Sequence, residues 1–160
     1  MTKRVDITLT INGTAYPLSV EPRRTLADVI RDNCGQTGTH LGCEHGVCGA
    51  CTVLLDGDPI RSCLMFAVQA DGRLIRTVEG LQNGTELHPL QQTFIRHHAL
   101  QCGFCTPGFL MLAAGILERR PDIGEDELAE MLSSNLCRCT GYENILKAVK
   151  AAAVEMKARA

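Results

Sequence analysis

Gly42-Cys43-Glu44-His45-Gly46-Val47-Cys48-Gly49-Ala50-Cys51 is the stretch on which the reading of this chain turns. Its three cysteines follow a C-x4-C-x2-C spacing, and Cys63 supplies a distant fourth thiol. A four-thiol set of this kind suits a 2Fe-2S cluster, because soft sulfur ligands bind iron strongly and four of them complete two tetrahedral irons bridged by sulfide. The glycines in the loop tolerate positive φ, which lets the backbone curl and aim N–H groups at sulfur. Such contacts help to set a reduction potential.

Eight of the nine cysteines fall into two quartets. The second is Cys102, Cys105, Cys137 and Cys139, a C-x2-C pair and a C-x-C pair far apart in the chain. In Cys105-Thr106-Pro107-Gly108, a capping threonine and an N1 proline predict a helix start directly after a ligand. Thr140-Gly141-Tyr142-Glu143 reads as a capping box opening another helix. Both pairs are thus expected at helix N-termini, where the dipole favours an anionic cluster. Three other readings compete. Paired thiolates also hold structural zinc, a reading that applies to the second quartet taken alone. Disulfides would explain a cysteine-rich chain, but the count is odd and MTKRVDITLTING carries no apolar signal segment, so a reducing cytoplasm is expected. Cys43-Glu44-His45 has the look of a Rieske half-site, yet no later C-x2-H partner exists.

The pattern around these quartets predicts an α+β chain in two units. Val5, Ile7, Leu9 and Ile11 alternate with polar residues, Asn12-Gly13 makes a hairpin turn, and Tyr16, Leu18 and Val20 continue a second strand. Thr25 caps a helix running to about Asn33, with Gly35 as its stop. Strands are predicted at 52–55, closed by Asp56-Gly57, and at 74–78. A hairpin, a crossing helix, the cysteine loop and further strands give a ubiquitin-like β-grasp over residues 1–78. After a turn-rich linker, 79–89, the period becomes helical: Leu90 and Phe94 share one face, and helices follow at 107–119, about 125–134, and from Gly141 onward. In the last, Ile145, Leu146, Val149, Ala153 and Met156 form an apolar stripe. Four short helices over 90–160 predict a four-helix bundle.

Composition excludes several function classes. A formal net charge of −2 and a pI near 6.2, with scattered basic residues, give nucleic acid little to bind. There is no tryptophan and only 4% aromatics, so base-stacking platforms are absent. The longest apolar run, Phe109 to Leu117, is too short to span a bilayer.

TGTHLGCEHGVCGACTVLLDG, QCGFCTPG and NLCRCTGY, in this order, resemble the small iron-sulfur subunit of the molybdenum hydroxylases, the family of xanthine dehydrogenase, aldehyde oxidoreductase and carbon monoxide dehydrogenase. The resemblance spans nearly the whole chain. It implies a plant-ferredoxin-like β-grasp followed by a four-helix bundle. It assigns Cys43, Cys48, Cys51 and Cys63 to an N-terminal 2Fe-2S cluster, and Cys102, Cys105, Cys137 and Cys139 to a C-terminal one. It further implies a large partner subunit with molybdopterin and a medium subunit with FAD, as a heterotrimer or a dimer of heterotrimers. Single electrons would pass from the molybdenum centre through the C-terminal and then the N-terminal cluster to FAD, with no substrate bond broken on this chain. The alternative is a free-standing two-cluster ferredoxin, for which −2 is a weak docking charge.

The same resemblance places Gln101 and Cys139 near the pterin; read alone, Gln101 is a local backbone cap beside Cys102. Cys34 stands where the family usually has leucine, and reads as a small buried residue ahead of a fifth ligand. His40 and His45 flank the first loop as polar turn residues that could tune a cluster. His97-His98 are adjacent helix positions that cannot face one metal. Asp122, Glu125, Asp126, Glu127 and Glu130 read as a solvated helix face.

Overall fold

Alternation in the first strand becomes burial: Ile7, Leu9 and Ile11 of β1 (Val5–Ile11) point into the core, and the turn residues Asn12 and Gly13 take φ of 50° and 82°. Positive φ at both positions fits the right-handed twist of a hairpin. It brings β2 (Thr14–Val20) back antiparallel, with Val5 opposite Val20 and Ile11 opposite Thr14. The computed structural model describes residues 3–159. Three further strands, β3 (Thr52–Leu55), β4 (Asp58–Arg61) and β5 (Leu74–Arg76), complete a mixed sheet of order β2-β1-β5-β3-β4. Its one parallel pairing is β1 with β5, Ile11 lying opposite Ile75.

β4 is a strand the pattern does not announce. It contains Pro59, which lacks a ladder donor, and is tolerated because β4 lies at a sheet edge. The predicted helix after Thr25 also differs in detail. Thr25 Oγ1 accepts from the Asp28 N–H at 3.1 Å, as a cap should, but α1 (Leu26–Asp28) then widens into a π-turn over Val29–Asn33. The wide turn closes with the Cys34 N–H on the Val29 carbonyl at 3.1 Å. Leu26, Val29 and Ile30 are fully buried against Leu9, Ile11 and Val53. Cys34 belongs to this same core, and burial pushes its thiol up to about 11. It behaves as an inert apolar residue and packs in a different cluster from Cys51 and Cys63.

Four helices follow: α2 (Pro89–Arg96), α3 (Thr106–Arg119), α4 (Glu125–Leu132) and α5 (Glu143–Arg159). Phe94, Phe109, Met111, Leu132, Ile145 and Val149 fill one shared core with Leu54 of β3. That membership explains why every residue of β3 is buried: α3 covers the sheet face that α1 does not. The approach is close, since a Cβ on Gly115 would lie 2.7 Å from Leu54 Cδ2.

Two predicted caps are not made. The N-cap of α3 is Cys105 itself, and Thr106 is the first helical residue, its Oγ1 buried without a partner. Before α5, Thr140 Oγ1 accepts from the Tyr142 N–H, and the helix opens only at Glu143. Thr140 is committed elsewhere, as described below. His97 and His98 end α2, His98 with φ of 49°. The acidic face of α4 is exposed, as expected, and part of it is ion-paired: Glu127 with Arg120, Glu125 with Lys150, and the preceding Asp122 with Lys157.

Candidate metal centres

The loop from Gly42 to Cys51 connects α1 to β3 and is shaped by positive φ at Glu44, Gly46 and Gly49. A Cβ at Gly42 would sit 3.0 Å from Cys48 Sγ, so the glycine leaves room for that sulfur. The Cys48 N–H donates to Cys43 Sγ at 3.3 Å, and the N–H groups of Cys48 and then His45 hold the Cys43 thiol down to about 6. Cys63 arrives on the turn after β4 and shares a hydrogen bond with Cys51. Burial, reinforced by Cys51, pushes the Cys63 thiol up to about 11. Cys51 and Cys63 form the buried half of the quartet, while Cys43 and Cys48 are half-buried.

The second quartet repeats this division with different parts. Cys102 and Cys139 are exposed, their sulfurs 3.5 Å apart. Cys105, beneath them, shares a hydrogen bond with buried Cys137 and is pushed up to about 12, first by burial and then by Cys137. Burial raises Cys137, but hydrogen bonds from the Thr140 hydroxyl and N–H, then from the Cys139 N–H and from Cys105, together offset it and leave the thiol below its ordinary value. The Thr140 N–H lies 3.4 Å and its Oγ1 3.1 Å from Cys137 Sγ. Tyr142 Oη accepts from the Cys137 N–H at 3.0 Å.

Both donor sets fit a 2Fe-2S cluster. They are thiols only, arranged as an inner and an outer pair, with backbone N–H groups on sulfur. A two-iron cluster takes two thiolates per iron, and each quartet supplies four. Bound metal deprotonates a coordinating thiol outright, which offsets the burial that keeps Cys63 and Cys105 protonated without it.

The two quartets are joined. The Leu136 N–H, one residue before Cys137, donates to the Cys48 carbonyl at 3.0 Å. Asn135 Nδ2 donates to the Gly49 carbonyl at 3.3 Å, and Arg61 reaches the Ser134 carbonyl at 2.9 Å. Gly108 of α3 presses on the same place: a Cβ there would lie 2.3 Å from the Gly49 oxygen. A second tie runs through His40, whose ring stacks on Phe104 at 4.9 Å and whose Nδ1 lies 2.8 Å from the Phe104 carbonyl.

Of the other residues singled out in the sequence, Gln101 is exposed and bonds to no described residue, so the expected local cap is not formed. His45 Nδ1 lies 2.5 Å from the Cys43 carbonyl, a contact within the loop. Sequence reasoning missed Thr140 as a sulfur donor. It also missed the 134–136 segment as the seam between loops, because contacts this distant leave no local spacing to read.

A cysteine loop on a mixed sheet and a second cysteine set among helices define a class: an iron-sulfur protein built for two small clusters and electron transfer. Residues 9–76 match the family described as a 2Fe-2S iron-sulfur cluster binding domain, and residues 77–150 the family described as a [2Fe-2S] binding domain. The nicotine 6-hydroxylase small subunit of Paenarthrobacter nicotinovorans is 58% identical over 91% of this chain and 88% of its own length. Quinoline 2-oxidoreductase from Pseudomonas putida 86 superposes with a TM-score of 0.91 at 54% identity, covering 97% of each chain. Aldehyde oxidoreductase from Desulfovibrio gigas gives a TM-score of 0.91 at 39% identity over 98% of this chain but 18% of that one. The chain belongs to the family of small 2Fe-2S subunits of molybdenum hydroxylases. Its α+β fold matches that of the family, and its role is electron transfer within an oxidoreductase complex. Among the described residues no helix is long and apolar enough to cross a membrane.

Proposed function

We propose that this chain relays single electrons between two partner subunits, a large one carrying molybdopterin and a medium one carrying FAD, in a heterotrimer or a dimer of heterotrimers in the cytoplasm. Cys43, Cys48, Cys51 and Cys63 hold one cluster on a β-grasp unit, residues 1–78. Cys102, Cys105, Cys137 and Cys139 hold the other in a four-helix bundle, residues 90–160, beyond the linker. The observation that carries this reading is the junction: Cys48 and Cys137 belong to different quartets, yet one hydrogen bond, Leu136 N–H to Cys48 C=O, separates their backbones.

When bound, each 2Fe-2S cluster supplies reversible one-electron chemistry. The chain supplies the rest. Loop N–H groups on Cys43 and Cys137 stabilise negative charge on sulfur, and the cores around Cys51, Cys63 and Cys105 exclude water. Exposed Cys102 and Cys139, next to exposed Gln101, mark the face offered to the molybdopterin subunit. Substrate is chosen in that partner; relatives above half identity are named for nicotine, caffeine, 6-hydroxypseudooxynicotine and quinoline, so N-heteroaromatic compounds are the first substrates to test.

Native purification tests the reading. The chain should bring down two larger subunits, with molybdenum and FAD, and hold four irons and four labile sulfides. A chain that purifies alone with both clusters is a free ferredoxin. Zinc in the second quartet makes that half an interaction module instead.

A further inference from the structure

We infer that Thr140 is a potential-setting residue of the second centre, acting through a hydroxyl hydrogen bond to Cys137 Sγ. The inference rests on the assignment of Cys137 to a cluster in the reading above. Thr140 Oγ1 lies 3.1 Å from that sulfur and 3.2 Å from the Tyr142 nitrogen. The Tyr142 N–H can only donate, so the hydroxyl oxygen accepts there and its proton is directed elsewhere. A metal-bound thiolate has no proton and can only accept; the hydroxyl therefore donates to sulfur. Cys137 is 8% exposed, so water competes poorly for the same lone pair.

The sulfur thus receives two donors from one residue, the Thr140 N–H and the Thr140 O–H. Reduction adds one electron and makes or breaks no bond. It raises the negative charge shared by the sulfurs, and a hydrogen bond strengthens as its acceptor gains charge. The hydroxyl accordingly favours the reduced state and holds the potential of the second centre up. In the first quartet the contact recorded on Cys43 Sγ comes from backbone, the Cys48 N–H at 3.3 Å. Thr140 is therefore a side-chain lever that acts on one centre alone.

The test is a redox titration of the intact complex followed by paramagnetic resonance, comparing Thr140→Val with Thr140→Ser. Valine keeps the shape and removes the hydroxyl, whereas serine keeps the hydroxyl. With valine, the reduced-to-oxidised ratio of the second centre at a fixed potential should fall about tenfold, ~59 mV for a one-electron couple. Serine should restore it, and the first centre should not move in either variant. If the valine variant loses iron, Thr140→Ala is judged by the same comparison with serine. An unmoved potential with both signals intact overturns the hydroxyl bond, and an equal shift in serine assigns the effect to lost packing. Absence of any second-centre signal in the wild-type complex would instead overturn the reading of the quartet itself.

Discussion

Gly108→Ala probes the junction between the two cysteine loops. The new methyl would lie 2.3 Å from the Gly49 carbonyl oxygen, 3.1 Å from Ala50 Cα and 3.2 Å from Asn135 Nδ2. Two of these are backbone atoms that no rotamer change can move aside. Overpacking of this kind costs about 1–3 kcal/mol. Parting the chains also weakens the Asn135 to Gly49 hydrogen bond, worth about 1 kcal/mol. Alanine returns at most about 1 kcal/mol of helix propensity, and less in the first turn of α3. The balance is a loss of about 2 kcal/mol, or roughly 4–8 °C in melting temperature for a chain of this size. Thermal unfolding of the anaerobically purified complex, with iron content measured before and after, reads this directly. An unchanged or higher melting temperature would mean that α3 and the first loop are not in backbone contact.

Other substitutions separate the remaining roles. Cys48→Ser should abolish or distort the first cluster's paramagnetic signal and leave the second intact; two unchanged signals would refute its place as a ligand. Gln101→Ala should leave both clusters assembled but slow substrate-driven cluster reduction in rapid-mixing absorbance, with exchange between the first cluster and FAD near normal. A defect confined to the FAD side would reverse the orientation proposed for the chain. Burial raises the Cys34 thiol from 9.0 to about 11 in the folded chain. Its contribution to stability is therefore complete below pH 9.0 and declines as pH rises through about 11. Urea midpoints should fall more steeply across that window in the wild type than in Cys34→Ala, and parallel curves would show the thiol to be exposed.

Where sequence reasoning succeeded, the signal was local. The alternation from Val5 to Ile11, the Asn12-Gly13 turn, the Thr25 cap and the apolar stripe of α5 each fall within one element, where period and turn chemistry are legible. β4 was hidden because Pro59 argues against a strand, and only its edge position makes it acceptable. The π-turn after Asp28 was hidden for another reason: Val29 to Asn33 offers ordinary helical residues, and burial against the sheet decides how wide the turn is. At Thr106 and Thr140 the predicted caps failed for different reasons: Thr106 already lies inside the helix that Cys105 caps, with its Oγ1 unpartnered, and the partner of Thr140 was invisible in the sequence. Thr140 turns to a sulfur three residues back, not to its helix. The cysteine quartets were legible by spacing; how their loops lean on one another, through residues 86 positions apart, was not.

The seam at Gly49, Asn135 and Leu136 also determines what would happen if the chain were cut. The turn closed by Asn83 and Glu86 lies in the connection between the halves and outside that seam. Nicking the chain there removes one covalent link and leaves the Leu136 to Cys48 bond, the Arg61 to Ser134 bond and the Arg76 to Glu118 pair in place. Fragments ending and beginning in this turn should complement each other in solution, each presenting the surface the other needs. Substitutions at Gly49 or Gly108 should abolish that complementation, while lengthening the 83–86 turn should cost only about 0.6 kcal/mol per doubling.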